Sequence, residues 1–415
     1  MTGRRAIVII SGYAARMMDL VWSSATVIAA AGALALLAIH LVGLALMARA
    51  CAPRPSPPLA AAPPISVARI LCGLEPHSRE TLESTFLYDY PVYEALFCVA
   101  RADDPVIDLA RAAMARHPHV PARLLVGEIV VGANPKLNNM GLAWREAAHQ
   151  RVVFVDSNLL TPPCYLKRLA AVWADDVGVV SSAPVGARPQ SAAAELEVAF
   201  LNTHAARWQF AAAACGRGFA QGKTLGLRKG ALPLGDLRPL AAEPAEDAAL
   251  TRLAEACGKR VALVAPPFAQ PLGRRSFAAV WARQTRWARL RRASFPGLYA
   301  CEALAGGAPA IALAAMAATL AGAPAAAAIF AGVWYGAEWA AARRCRWPSG
   351  ARAVLAMAAR DLLLPAVWLA GLAGGEVRWR GATVALSIAP RGVARRFAGA
   401  APWAARLRRL ARRQV

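Results

Sequence analysis

From Val21 to about Ala48 the chain is apolar except for small polar residues and His40. Inside hydrocarbon each backbone N–H and C=O must find its partner within the segment, so a run of this length is expected to form a helix that crosses a bilayer. Arg4, Arg5 and Arg16 precede it in a basic stretch over residues 1–20. No convincing small-residue cleavage site follows, which favours an uncleaved anchor over residues 21–48 rather than a signal peptide. His40 has no obvious partner nearby and reads as a neutral, tolerated side chain, although ionisable groups inside a membrane are often functional. A hydrophobic content of 57 % and a mean hydropathy of +0.37 agree with a membrane protein.

Residues 49–64 hold six prolines between Pro53 and Pro64, which predicts a stiff spacer. A sheet domain follows over residues 65–273. Strands are expected at Ile65–Leu71, Tyr93–Ala100, Arg123–Val126, Val152–Val155 and Val177–Ser182. Helices are expected at Ser78–Leu87, capped by Ser78, and at Pro105–Ala115, Leu137–Ala148 and Ala192–Ala214. Alternation at this spacing predicts an α/β domain whose sheet is mainly parallel and wrapped by helices. Neither a dinucleotide fingerprint nor a P-loop is present, which argues against a dehydrogenase or an NTPase. Eight scattered cysteines with no C-x-x-C suggest buried thiols in a reducing compartment rather than disulfides or a zinc site.

The strand Val152–Val155 stops abruptly on Asp156-Ser157-Asn158. Polar groups at the carboxyl end of such a strand sit where open α/β sheets bind ligands. Asp156 and Asn158, one residue apart, are two oxygens able to hold a hard divalent cation, Mg2+ or Mn2+, beside a phosphate. The other reading is an Asx turn that starts the next helix. Gly218 to Thr224 places Gln221 and Lys223 between glycines, either as ligand contacts or within a plain turn. Glu246 and Asp247 begin a helical stretch, where acids also serve simply to stabilise the macrodipole.

Residues 274–298 form a different kind of segment. Seven arginines and no acid lie between Arg274 and Arg292, interleaved with Phe277, Val280, Trp281, Trp287 and Leu290 at helical spacings. This predicts an amphipathic helix lying on a membrane surface. The excess of 48 Lys+Arg over 25 Asp+Glu would also suit nucleic acid, but the flanking apolar segments place the basic helix at a bilayer, so no nucleic-acid partner is expected. Over residues 299–375, Leu304–Gly322 and Ala325–Ala342 read as two spans hinged at Gly322-Ala323-Pro324. Ala353–Ala373 reads as a re-entrant or interfacial segment with Arg360 and Asp361 paired near the surface. Residues 376–415 read as a basic cytoplasmic tail.

Seven short motifs in order carry a resemblance. They are Leu71-Cys72-Gly73, Asp89-Tyr90-Pro91, Asp103-Asp104-Pro105, Asn134-Pro135-Lys136-Leu137-Asn138-Asn139, Asp156-Ser157, Glu246-Asp247 and Arg283-Gln284-Thr285-Arg286-Trp287. Over about residues 65–295 the chain resembles the ceramide glucosyltransferase family, membrane enzymes with a GT-A nucleotide-sugar domain, and it is similar to the hopanoid-associated branch of that superfamily. The resemblance implies a GT-A fold with N-terminal and C-terminal transmembrane helices. It makes Asp156 the acid that binds metal and nucleotide diphosphate, and Asp247 the base that takes the acceptor's proton. It places Arg283, Arg286 and Trp287 near the diphosphate and acceptor, and His204 where the family has a donor-binding histidine. Asp104, Lys136 and Glu246 fall within motifs on the substrate side. Two departures stand out: Asn158 replaces the second acid of a D-x-D, and Arg101 stands where the family has its first acid, with Asp103 and Asp104 just beyond.

An inverting hexosyl transfer needs a base on the acceptor side and neutralisation of a departing diphosphate. Asp247 answers the first need. A divalent ion on Asp156, with Arg286 and Lys223, answers the second. The expected reaction moves a hexose, in first place glucose, from a UDP-sugar to a ceramide-like lipid, with the catalytic domain on the cytoplasmic side of a bacterial-type inner membrane. Two alternatives are the same chemistry on a hopanoid or diacylglycerol, and a GT-A scaffold without activity.

Overall fold

The computed structural model describes residues 2–52, 62–379 and 382–386. Most of the Pro-rich spacer and the Arg-rich tail from Arg391 onward lie outside the described residues. Helix α1, Thr2–Ala50, is a single helix that includes the expected anchor; its part from Trp22 to Ala50 is long and apolar enough to cross a membrane. At 1.5 Å per residue the whole helix is about 70 Å long, roughly twice a bilayer core.

The sheet domain runs β1 Ile65–Leu71, α2 Ser78–Glu83, β2 Tyr93–Val99, α3 Val106–Arg116, β3 Ala122–Val126, α4 Pro135–Glu146, β4 Arg151–Asp156, α5 Tyr165–Ala171 and β5 Val177–Ser182. It continues with β6 Val185–Pro189, α6 Ala192–Ala199, a π-helical stretch Phe200–Ala206, α7 Arg207–Ala214, β7 Thr224–Arg228, α8 Glu246–Ala256, β8 Arg260–Val264 and β9 Ala269–Gly273. Seven strands form one sheet in the order β3-β2-β1-β4-β7-β5-β8. Only β7 runs antiparallel to its neighbours, so the sheet is mixed and mainly parallel, as the GT-A resemblance implied. A small parallel pair, β6 with β9, stands apart from it.

Both faces of the sheet are covered, which is why its strands read as nearly unbroken apolar runs. Val152 and Phe154 of β4 join one core with Met140 and Trp144 of α4 and Leu250 of α8. Val153 and Val155, pointing the other way, join a second core with Tyr165 and Leu169 of α5. Burying a side chain the size of Phe154 contributes about 1.5–3 kcal/mol. The expected cap on α2 is different: His77, at φ 68°, precedes the helix, while the Ser78 hydroxyl bonds back to the Glu75 carbonyl at 2.9 Å.

Helix α9, Phe277–Ser294, is the expected Arg/Trp helix, and Ser276 caps it by accepting from Ala279 N–H. It is followed by α10 Pro296–Cys301, α11 Gly307–Leu320, α12 Ala325–Arg344 and α13 Ala353–Leu372. The hinge between α11 and α12 is observed, with Gly322 in the left-handed region at φ 68°. Helix α13 corrects the re-entrant reading: it is one continuous helix, and its length and composition suffice to cross a membrane. Residues Pro296–Leu304 and Gly307–Leu320 form a pair bent by 42° that would make a third span. Residues 376–385, expected to open the basic tail, instead contribute the antiparallel strands β10 Glu376–Trp379 and β11 Ala382–Ala385.

Arg360 and Asp361 are not near the surface. Both are fully buried, Arg360 reaching Asp361 at 2.9 Å and Glu338 of α12 at 2.6 Å and Thr203 of the π-helical stretch at 3.1 Å. His40 has partners as well. It stacks on Trp334 with ring centroids 3.8 Å apart and hydrogen-bonds Arg207. Charges in the bundle are thus paired across helices, as burial in a low dielectric demands.

One buried side chain fixes the loop after β4. Arg69, fully buried in β1, donates to Thr85, Ser84 and Thr161 and to the carbonyls of Asp156 and Leu159, at 2.8–3.1 Å. All five of its N–H groups are engaged, and every acceptor is neutral. Arg69→Met is expected to remove all five hydrogen bonds of this buried side chain, leaving the Leu159 carbonyl without this donor, and to lower unfolding stability by about 3 kcal/mol. Denaturant unfolding of the full chain in detergent checks this, and an unchanged midpoint would contradict it.

Candidate active site

The site assembles where the end of β4, the start of β7 and the first turns of α4 and α8 meet at the carboxyl end of the parallel strands. Strand β4 ends on Asp156. Because β7 is antiparallel to it, with Val155 opposite Thr224, Lys223 enters beside that carboxylate. Helix α4 follows β3, so its first turn, carrying Lys136, lies over the carboxyl ends of the strands. Asn134 caps that turn, its side chain accepting from the N–H groups of Lys136 and Leu137, and Pro135 occupies the first helical position. The first turn of α8 adds Glu246 and Asp247.

Salt bridges tie these elements together. The Lys136 ammonium lies 2.7 Å from Asp156 Oδ1 and 2.8 Å from Glu246 Oε1, and it donates to the Gly222 carbonyl at 2.7 Å. Lys223 lies 3.0 Å from Asp156 Oδ2 and 2.8 Å from Asn158 Oδ1. Glu246 Oε2 accepts from Asn134 Nδ2 at 3.0 Å. Asp247 Oδ2 accepts from Gly222 N–H at 2.9 Å and Oδ1 from Ala248 N–H at 2.8 Å. A Cβ at Gly222 would lie 2.8 Å from Lys136 Nζ and 2.9 Å from Glu246 Oε1. A side chain there would have to displace the ends of Lys136 and Glu246, the two groups whose ion pair joins α4 to α8.

The two acids acquire opposite character. Burial raises the pKa of Asp156, but Lys136 and then Lys223 outweigh it and hold the carboxyl well below the usual carboxylate range. Burial also raises Asp247, and the like charge of Glu246 adds to it; Lys136 opposes both only in part, and the result is about 7. One acid is a permanent anion and the other exchanges a proton near neutrality, which separates an electrostatic role from a base role.

A divalent cation can be tested against this geometry. Asp156 Oδ2 and Asn158 Oδ1 converge on the Lys223 ammonium, which stands in for a cation at that point. One carboxylate and one amide oxygen suit a hard ion that draws the rest of its shell from phosphate and water. Among the described residues no three His, Cys, Asp or Glu side chains group as a metal site. The pair fits the ion only as a partial shell completed by substrate.

The other expected residues make contacts of their own. The backbone N–H of Gln221 donates to Ser181 Oγ at 3.0 Å, and that hydroxyl donates back to its carbonyl at 3.1 Å. Asp104 accepts from the N–H groups of Gly73 at 2.8 Å and Val106 at 3.0 Å, joining the ends of β1 and β2. Arg283 pairs with Glu197 of α6, a fully buried acid. Trp287 packs against a cluster of Ala194, Val198, Leu201 and Leu272, and Arg286 lies one turn from Arg283 on α9. His204 lies in the π-helical stretch, where burial and then Arg360, Arg207 and Arg291 hold its pKa well below the ordinary imidazole value. Sequence reasoning missed Arg69, Glu197, Asn134 as a bridge to Glu246, and Ser181. A charge inside an apolar strand was the available signal for Arg69, and Asn-Pro before a helix for Asn134.

The model of glycosyl transferase family 21 matches residues 26–391. The chain is 28 % identical over 245 residues to ceramide glucosyltransferase 1 of Caenorhabditis elegans, covering 58 % of this chain and 53 % of that protein. It is 33 % identical over 99 residues to the ceramide glucosyltransferase of Komagataella phaffii, covering 23 % and 19 %. The longest of these matches thus spans about half the length of the curated relative. Among solved structures it is similar to a mannosyltransferase from Pyrobaculum calidifontis in complex with GDP-Man and Mn2+, at 19 % identity and a TM-score of 0.43, over 82 % of this chain and 97 % of that one. It is also similar to glucosyl-3-phosphoglycerate synthase from Mycobacterium tuberculosis in complex with Mn2+, UDP-glucose and phosphoglyceric acid, at 16 % identity and a TM-score of 0.35, over 56 % and 79 %. With a family model spanning nearly the whole chain, the protein belongs to glycosyl transferase family 21.

Proposed function

We propose that the enzyme transfers a hexose, glucose in the leading form, from a UDP-sugar to the primary hydroxyl of a ceramide-like lipid with inversion. The observation that supports this reading is the pair of half-buried acids at the carboxyl end of the sheet, one held as an anion and one lifted to about 7. Asp247 accepts the hydroxyl proton as the acceptor oxygen attacks the anomeric carbon. Each Asp247 oxygen takes one backbone N–H and keeps a second lone pair for that proton. Lys223 meets the charge that builds on the departing diphosphate, and Asp156 and Asn158 would hold a divalent cation beside it. When bound, that ion supplies further neutralisation of the leaving group.

The membrane completes the site. Nucleotide sugars are cytosolic, so the sheet domain faces the cytoplasm of a bacterial-type inner membrane, with α1 and α13 as spans. Helix α9 lies in the headgroup layer and brings the lipid hydroxyl toward Asp247, with Arg286 and Trp287 on the acceptor side.

Asp247→Asn is expected to reduce turnover of UDP-glucose with a ceramide acceptor by at least about 10³-fold, removing the base, while calorimetry finds UDP affinity within about threefold of wild type. Retained turnover would sink the assignment. The pH dependence follows from the same acid. The rate constant kcat/KM is expected to rise with pH through about 7 as Asp247 loses its proton. Glu246→Gln removes the neighbouring like charge and should move that limb to lower pH; an unmoved limb would contradict the cause given. For stability the sign is opposite. Between the ordinary 3.8 and about 7 the folded state keeps a proton that the unfolded state has released, so this group makes the fold less stable as pH rises across that window.

A further inference from the structure

Asp156 is held unequally on its two sides. Lys136 donates to three acceptors, Asp156, Glu246 and the Gly222 carbonyl, at 2.7–2.8 Å, which engages every N–H an ammonium has. Lys223 donates to two, Asp156 Oδ2 and Asn158 Oδ1, at 3.0 and 2.8 Å, leaving one N–H directed at neither. Its backbone is anchored, since its carbonyl accepts from Asp156 N–H at 3.2 Å. The Lys223 side chain can therefore leave without disturbing the strand pairing, whereas moving Lys136 would strip α4, α8 and the Gly222 turn of their common cation.

We propose that Lys223 is a resident counter-cation, occupying the oxygens of Asp156 and Asn158 until the donor's diphosphate arrives, so that the divalent ion binds only together with the nucleotide. The inference rests on the reading that Asp156 and Asn158 hold that ion. A dication brought to the same two oxygens meets the ammonium within a few ångströms, and like charges at that range in a half-buried site oppose binding strongly. The diphosphate removes the conflict from both directions. It offers the displaced ammonium a new anionic partner, and its own oxygens complete the shell that Asp156 and Asn158 only begin. Lys223 thereby prevents the metal from occupying the site unproductively and moves onto the leaving group as the donor seats. No bond is made or broken in this exchange; one cation replaces another on Asp156.

The test uses the full chain in detergent with Mn2+ and UDP as probes, binding being followed by calorimetry and by the electron paramagnetic resonance of free Mn2+. Wild type is expected to bind Mn2+ weakly alone and at least about tenfold more tightly with UDP present. Lys223→Met should bind Mn2+ without UDP at least about tenfold more tightly than wild type, because the competing charge is gone. Lys223→Arg, which keeps the charge, should behave as wild type and guards against a general loss of structure. Asp156→Asn added to Lys223→Met should abolish the gain and so locate it. If Lys223→Met leaves the donor-free affinity unchanged while UDP still promotes Mn2+ binding, the counter-cation role is overturned and the metal reading stands. If Mn2+ binds no variant even with UDP, both are overturned.

Discussion

Asp156 stands between two ammonium groups, and the arrangement of the catalytic end of the sheet follows from that. A buried carboxylate costs several kcal/mol in lost hydration and persists as an anion only with close cations. Lys136 supplies one from the first turn of α4, and Lys223 the other from the residue before β7. Because Lys136 also binds Glu246, the same charge that stabilises Asp156 draws α8 into place. Asp247 follows Glu246 directly in sequence, so burial and then the like charge of that neighbour lift its pKa to about 7. The ion pairs thus fix Asp156 as an anion, whereas Asp247 is lifted by burial and Glu246 against the partial opposition of Lys136.

The antiparallel strand is what makes this possible. In a wholly parallel sheet the residues at the carboxyl edge come from strand ends alone. Inserting β7 between β4 and β5 delivers a strand beginning to that edge, and with it Lys223 and the Gly222 turn. Behind the edge, Arg69 holds the carbonyls of Asp156 and Leu159 from within β1. Asp156 is thus positioned through its own backbone as well as through its side chain.

Much of this was legible in the chain. Ile65–Leu71 and Val177–Ser182 are strands with the bounds their β-branched runs imply, and β4 ends on the polar triplet that marked it. These are local signals. Strand β7 was not read, since Thr224–Arg228 carries a central glycine and its direction depends on partners far away in sequence. The same limit explains Lys223. Its glycine-flanked setting suggested a ligand contact or a turn, whereas its observed partners, Asp156 and Asn158, come from another strand end. His40 lacked a partner in sequence because Trp334 and Arg207 reach it only when α12 and α7 pack on α1. The expected surface pair of Arg360 and Asp361 failed for the same reason: Glu338, which shares the buried charge, lies on the preceding helix. The family motifs named Lys136, Asp156, Glu246 and Asp247, which meet at this end of the sheet, but said nothing of these membrane-side pairings.

In the proposed reaction a sugar passes from a nucleotide held by the sheet domain to a lipid, and the lipid product is the most direct evidence of it. Membranes from a host lacking glycosphingolipids and hopanoids, made to express the full chain, can be supplied with ceramide, labelled UDP-glucose, UDP-galactose or UDP-N-acetylglucosamine, and analysed by mass spectrometry. The expected result is a hexosylceramide formed from UDP-glucose and absent with Asp247→Asn. A sugar-labelled product found only on an added hopanoid or diacylglycerol, with ceramide untouched, would contradict it.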